Sequence, residues 1–353
     1  YIKGAAPTEI VGSAFTISGK DNNAVLAKGA AALDIKNNTS FNISGDENNG
    51  VYVDGTASTT AYTDYNSSFT VTGTNSNAVY AKKGAVELKG TSMDIQGTNN
   101  NGLIVFDQTD VTPVKVNSGS SFKVNNNNNG IFATHNSKID EIKNSSFIVT
   151  DSAIGLLVGD DNTAKAEVST IENTTFNITG TDANSDNSGT GIYMYNGDVT
   201  VGKNVVMTGD NNDIFITIRN RDYDNKINLD GDNGPDNIRL QANGNNNVGI
   251  NIQNGDSAAT TGKTVEILSP GGKGWNVKFI GDNNTGIKNN FFADTLKIKN
   301  ESPLPGSLTD TGVMTITGEN ATGYANLGYV NNGTLQLDYI NLSGRHSVGA
   351  AFL

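Results

Sequence analysis

The stretch SFNISGDENNGVYV, residues 40–53, decides the fold. It returns 28 residues later as SFTVTGTNSNAVYA (68–81), and 24 residues after that as SMDIQGTNNNGLIV (92–105). Each copy alternates apolar and polar residues up to a glycine or its neighbour, crosses an Asn-rich polar segment, and ends in a second alternating triplet. Alternation over so few residues marks a short β-strand, because successive strand side chains point to opposite sides.

Working outward, the glycine-terminated run recurs as FTISG at Gly19, FNITG at Gly180, VVMTG at Gly209, VKFIG at Gly281, MTITG at Gly318 and INLSG at Gly344. FKVNN (122–126) and FIVTD (147–151) are copies without the glycine. Most steps are 24–29 residues, the length of a solenoid repeat. LDIKNNTSFNISGDENNGVYV (33–53) contains three short strands. No stretch has the 3.6-residue periodicity and caps of a helix. A unit this small cannot bury its own apolar face, so the units must stack, Phe on Phe and Ile on Ile. The expected fold is an all-β, right-handed parallel β-helix of about 12 coils.

Asparagine fits that geometry. It tolerates the left-handed backbone that sharp corners need, and stacked copies can form amide ladders. The runs at 48–49, 99–101 and 125–129 therefore read as corner chemistry.

The chain reads as a single β-helical domain over 1–353, a fragment of something longer. Residues 1–218 form regular coils. Residues 219–312 form coils with inserted loops, notably 219–237 and 269–275, and 313–353 are again regular.

Composition excludes several functions. The 36 acidic and 24 basic residues leave a net charge of −12, which argues against nucleic acid as a partner. There is no cysteine, so disulfide scaffolds and Cys-based zinc sites are excluded. No apolar run approaches the roughly 20 residues that span a bilayer.

On its FxIxGxxNNG(I/V) copies, such as FNISGDENNGV (41–51), and its lack of Cys, the chain resembles the passenger domains of monomeric, type V secreted autotransporters. Among these it is most similar to the large Asn-rich fusobacterial outer-membrane adhesins. The resemblance implies a monomeric, extracellular passenger on a Gram-negative cell surface, tied to the outer membrane only through a C-terminal barrel outside this sequence. It implies attachment to a protein or glycan receptor on host or bacterial cells, and it transfers no binding residue. The alternatives are a β-helical glycan-active enzyme or tailspike-like protein, and a stalk with no site of its own.

Enzymatic chemistry finds little footing. Glycoside hydrolysis needs two carboxylates facing across a cleft. Asp160–Asp161 is an adjacent pair in a turn, and the two histidines, His135 and His346, are far apart in sequence. No GxSxG elbow is present. The expectation is no enzyme and no cofactor. For metal, GDNGPDNIR (231–239) partly matches a Ca²⁺-binding nonapeptide, with Asp230, Asp232 and Asp236 as oxygen donors. That motif works in tandem copies and this one is alone, so the expectation is a loop.

One feature exceeds what stacking requires. If Val51 and Val53 face the core, Tyr52 faces out. The equivalent residues Leu26, Tyr52, Tyr80, Ile104, Phe132, Leu157, Tyr193 and Phe215 would then form one outward apolar ladder, ending where Asn251 and Lys288 take the place. The candidate partner-binding residues are Tyr52, Tyr80, Phe132, Tyr193 and Phe215, with Trp275, the only tryptophan, on a loop. The competing readings are a strand covered from outside, or a register reversed in some coils.

Overall fold

A computed structural model describes the chain except residues 4–6, 30–31, 56–59, 64–65, 109–112, 161–163, 180–188, 221–222, 232–237, 255–263, 271–274, 281–284, 291–294, 302–312, 318–321, 327–334, 337–340, 343–350 and 353. From residue 269 on, side chains are described only around Phe279, Thr285 and Gly286. The chain divides into two compact units, Tyr1–Ser169 and Thr170–Leu353.

The described residues are all-β, without a helix, and the fold is the expected parallel β-solenoid. Each coil gives one strand to each of three sheets. In the first unit, sheet 1 contains Asn23–Lys28, Asn49–Asp54, Asn77–Lys82, Asn101–Phe106, Asn129–Thr134 and Ile154–Val158. Sheet 2 contains Thr8–Val11, Ala32–Lys36, Thr60–Thr63, Ala85–Lys89, Val114–Asn117 and Glu141–Lys143. Sheet 3 contains Ala14–Ile17, Ser40–Ile43, Ser68–Val71, Ser92–Ile95, Ser121–Val124 and Ser146–Thr150. Pairing is parallel, residue on equivalent residue, as in Phe41 with Phe69 and Val51 with Val79. The second unit repeats the pattern, for example Thr190–Met194, Ile214–Asn220 and Val248–Asn254 in sheet 1. About seven turns are regular, against the expected 12, and the strand order of the three sheets continues beyond them, through 13, 13 and 12 strands.

The core is a set of stacks. Phe15, Phe41 and Phe69 lie ring on ring at 4.8 and 4.5 Å, and Phe122 on Phe147 at 4.7 Å. These match the strand spacing of about 4.8 Å, so each ring makes the offset-stacked contact worth ~0.5–1.5 kcal/mol beyond its area. The Gly of each NNG faces these rings: a methyl on Gly130 would sit 2.6 Å from the Gly155 carbonyl and 3.3 Å from Phe147. Gly45, at φ +85°, has a second reason, since a methyl there would run into the backbone carbonyl of Gly19.

Asparagine closes the corner between sheets 3 and 1 in two ladders. Asn49 donates its side-chain amide to Asn23, Asn77 to Asn49, Asn101 to Asn77 and Asn129 to Asn101, all at 2.8–2.9 Å. One residue earlier, the side-chain oxygens of Asn48, Asn100 and Asn128 accept from the backbone N–H of the preceding coil at 2.7–2.8 Å. In that ladder Ser76 replaces asparagine, and its hydroxyl accepts from the Asn48 N–H. Each side-chain amide there meets a donor or acceptor that would otherwise be buried and unpaired.

Candidate interaction face

The ladder positions follow from strand alternation inside sheet 1. Val51 and Val53 are fully buried, and Tyr52 between them is half-exposed. Leu26 pairs with Tyr52, Tyr52 with Tyr80, Tyr80 with Ile104, Ile104 with Phe132 and Phe132 with Leu157. All six are half-exposed, so six successive coils of the first unit carry an outward apolar residue in one line. The Tyr52 and Tyr80 rings stack at 5.0 Å. Desolvation in this stack raises both phenols; Tyr80 is pushed up to about 12, with the neighbouring Tyr52 and Asp54 adding to the effect.

On one side the ladder is bordered by the Asn23–Asn129 amides. On the other runs the column Lys28, Asp54, Lys82, Phe106 and Thr134. Lys28 and Asp54 pair at 3.3 Å. Phe106 widens the apolar strip: its ring lies 6.2 Å from Tyr80 and 4.4 Å from the His135 imidazole. His135 Nδ1 lies 2.9 Å from the Asp160 carboxylate, to which the Thr134 hydroxyl donates at 2.6 Å. Sequence reading treated His135 and Asp160 separately and missed Phe106. The available signal was spacing, since 135 and 160 differ by one coil length.

The other two outer faces of this unit are different in kind. Sheet 2 presents charges: Lys36 bridges Glu9 and Asp34, each at 3.1 Å, Lys89 meets Glu87 at 3.0 Å and Lys143 meets Glu141 at 3.4 Å. Sheet 3 presents Thr16, Asn42, Thr70, Asp94 and Lys123, with Ile148 exposed beyond them. Only sheet 1 turns a run of large apolar residues outward among the described residues of this unit.

The second unit corrects the expected ladder. Tyr193 is half-exposed and pairs with Thr217, then Thr217 with Asn251 and Asn251 with Lys288. The expected member Phe215 is fully buried. The outward triplet is Ile216–Thr217–Ile218, not Ile214–Phe215–Ile216, because Ile214 pairs with Thr190. Phe215 therefore falls in the column otherwise held by glycine or alanine, such as Gly50, Ala78 and Gly191, and turns inward. Sheet 3 makes room: Gly209 and Ala242, paired with each other, stand where Ile17 and Ile43 stand in the first unit. Thr217 and Asn251 are themselves almost fully buried, so the open ladder is a property of the first unit.

The remaining candidates are not brought together. Trp275 opens the strand Trp275–Ile280 and pairs with Ile238, rather than ending a loop; its side chain lies outside the described residues. Asp161, His346, Asp232 and Asp236 also lie outside them, while Asp230 directly follows the sheet 2 strand Asn225–Leu229. Among the described residues there is no group of three or more His, Cys, Asp or Glu that could hold a metal ion. No family model, no curated protein and no solved structure matches this chain.

Proposed function

We propose that the chain is a binding passenger of a bacterial surface adhesin of the autotransporter type, attaching to a protein or glycan on host or bacterial cells. The observation that carries this reading is the outward ladder Leu26–Tyr52–Tyr80–Ile104–Phe132–Leu157 on a unit whose other two outer faces are mostly polar among the described residues. Six large apolar side chains in one line form a contiguous, partly exposed apolar strip rimmed by polar residues, the kind of feature found at interaction sites. Tyrosine suits such a face, giving large contact area at low conformational cost together with a polar tip. A parallel β-solenoid supplies a rigid scaffold for it, since each coil is fixed by both neighbours.

The test is a binding screen of the intact chain on host and bacterial cells, with a polysaccharide-degradation assay alongside. Saturable cell binding without degradation supports adhesion. Degradation would replace it with the glycan-active reading, and the absence of binding to any cell would leave a structural stalk.

A further inference from the structure

The structure separates two populations of asparagine. Those at the corner between sheets 3 and 1 are consumed by ladders. At the corner between sheets 2 and 3 of the first unit, Asn38, Asn66 and Asn144 are exposed, and their side-chain amides make no hydrogen bond among the described residues. Each sits in the left-handed region, at φ +62°, +69° and +49°. Each opens the same three-residue phrase: Asn38-Thr39-Ser40, Asn66-Ser67-Ser68 and Asn144-Ser145-Ser146. In the second unit Asn173-Thr174-Thr175 repeats the phrase at φ +49°, but there the Asn173 side-chain oxygen accepts from the Asn204 amide at 3.3 Å.

The fold accounts for two of the three residues. The left-handed corner calls for Asn or Gly, and Gly90 takes the place in another coil. The middle hydroxyl is buried in all three: Thr39 donates to the Lys36 carbonyl at 2.7 Å and Ser145 to that of Lys143 at 2.8 Å, while the Ser67 hydroxyl has no partner among the described residues. The third hydroxyl has no such role. Ser40, Ser68 and Ser146 are half-exposed, stand in a strand-start column that Ser92 and Ser121 share behind Gly90 and Gly119, and make no side-chain hydrogen bond among the described residues. A free amide followed two positions later by a free hydroxyl, on an exposed turn, is the acceptor pattern for N-glycosylation.

We propose that this corner is a modification edge, in which Asn144 and the pair Asn38 and Asn66 accept sugar from an activated glycosyl phosphate donor. The asparagine amide nitrogen bonds the anomeric carbon, the bond from that carbon to the donor phosphate oxygen breaks, and one amide proton is released. Asn38 and Asn66 stand on adjacent coils, about 4.8 Å apart, too close for two full glycans. Asn144 stands three coils away from Asn66 and is unobstructed by either. Asn37 and Asn42 are built-in controls: they share the N-x-S/T pattern, but their second-following hydroxyls, on Thr39 and Ser44, are bound to carbonyls.

The experiment is intact-mass measurement and peptide mapping of the chain recovered from the cells that naturally make it. Sugar is expected at Asn144 in most molecules and shared between Asn38 and Asn66, with none at Asn37 or Asn42. Single-sugar additions identify a nucleotide-linked donor and preassembled oligosaccharides a lipid-linked one. Two variants separate modification from folding. Ser146→Ala removes the acceptor pattern and should abolish sugar at Asn144 without changing the melting temperature. Ser145→Ala keeps the pattern and should keep the sugar while lowering the melting temperature. Unmodified Asn38, Asn66 and Asn144, or sugar confined to Asn37 and Asn42, would overturn the proposal.

Discussion

The rings of Tyr52 and Tyr80 lie 5.0 Å apart and 13° from parallel, one coil above the other on the outer surface of sheet 1. Each ring covers a face of its neighbour, so both phenols are partly withdrawn from water. Burial is the main reason that the Tyr80 phenol is pushed up to about 12. An unfolded tyrosine ionises near pH ~10, so between about 10 and 12 the unfolded chain loses this proton while the folded chain keeps it. The stability associated with neutral Tyr80 is thus complete below pH ~10 and is lost as pH rises towards ~12. Ultraviolet titration should show one tyrosine ionising well after the rest, and Tyr80→Phe should remove that late step. Denaturant unfolding should also fall less steeply with alkaline pH in the variant. Titration of Tyr80 together with exposed tyrosines would contradict the stacked, desolvated ladder.

Binding should depend on the ladder as a unit. Changing Tyr52, Tyr80 and Phe132 together to Ser removes three of its six members and no buried contact of the core. If these are interface anchors, each costs roughly 2 kcal/mol or more, so cell binding by the triple variant should fall at least a hundredfold. Circular dichroism should stay that of the parent, with the unfolding midpoint lowered by the loss of the Tyr52–Tyr80 stack. Undiminished binding would remove the ladder from the recognition site. A matched triple change on sheet 3, at Thr16, Asn42 and Thr70, should leave binding intact.

The repeat made the fold legible because stacking imposes the same residue at the same place in every coil. Phe41, Ile43, Gly45, Val51 and Val53 could be assigned to core and corner from alternation alone, and the asparagine ladders followed from corner chemistry. What could not be read was where the repeat compensates rather than copies. Phe215 looked like a ladder residue because IFI resembles VYV. The alignment of coils is set by hydrogen bonds between strands, and these put Thr217 in the ladder. Phe106 and the contact between His135 and Asp160 were hidden for a related reason: they join different positions of neighbouring coils, which a column-by-column reading does not connect.

Asn100 tests the corner chemistry directly. Its oxygen accepts from the Ser76 N–H at 2.7 Å, and its amide donates to the Gly73 and Gln96 carbonyls, all in a fully buried position. Asn100→Ala removes the side-chain partner of the Ser76 N–H and the Gln96 carbonyl, while the Gly73 carbonyl keeps the Thr98 N–H, and should cost about 2–6 kcal/mol at ~1–3 kcal/mol per unsatisfied group. Asn100→Asp keeps the shape and the acceptor but turns the donor into a second negatively charged oxygen facing two carbonyls. It should destabilise more than alanine does at neutral pH, and part of that excess should disappear on acidification. Denaturant unfolding of the two variants at neutral and acidic pH checks the order. A milder effect of Asp than of Ala would refute the donor role of this amide.

Phe215 and Gly209 should behave as one packing unit. Phe215 fills core space that elsewhere belongs to an isoleucine or valine of sheet 3, and a methyl on Gly209 would come within 2.9 Å of the Phe215 ring and 2.8 Å of the Asp213 carboxylate. Phe215 also stacks on Phe279 at 5.3 Å. Phe215→Ala should cost about 3–5 kcal/mol by opening a cavity. Gly209→Val should also destabilise, by overpacking, typically by ~1–3 kcal/mol. Combined, the new valine occupies part of the space the phenyl ring vacates, as Ile43 does beside Gly50 in the first unit. The double variant should therefore be more stable than the sum of the single losses allows, by at least about 1 kcal/mol. Denaturant unfolding of the wild type, both singles and the double measures this coupling. Strict additivity would mean that the small residue at 209 and the large one at 215 are unrelated.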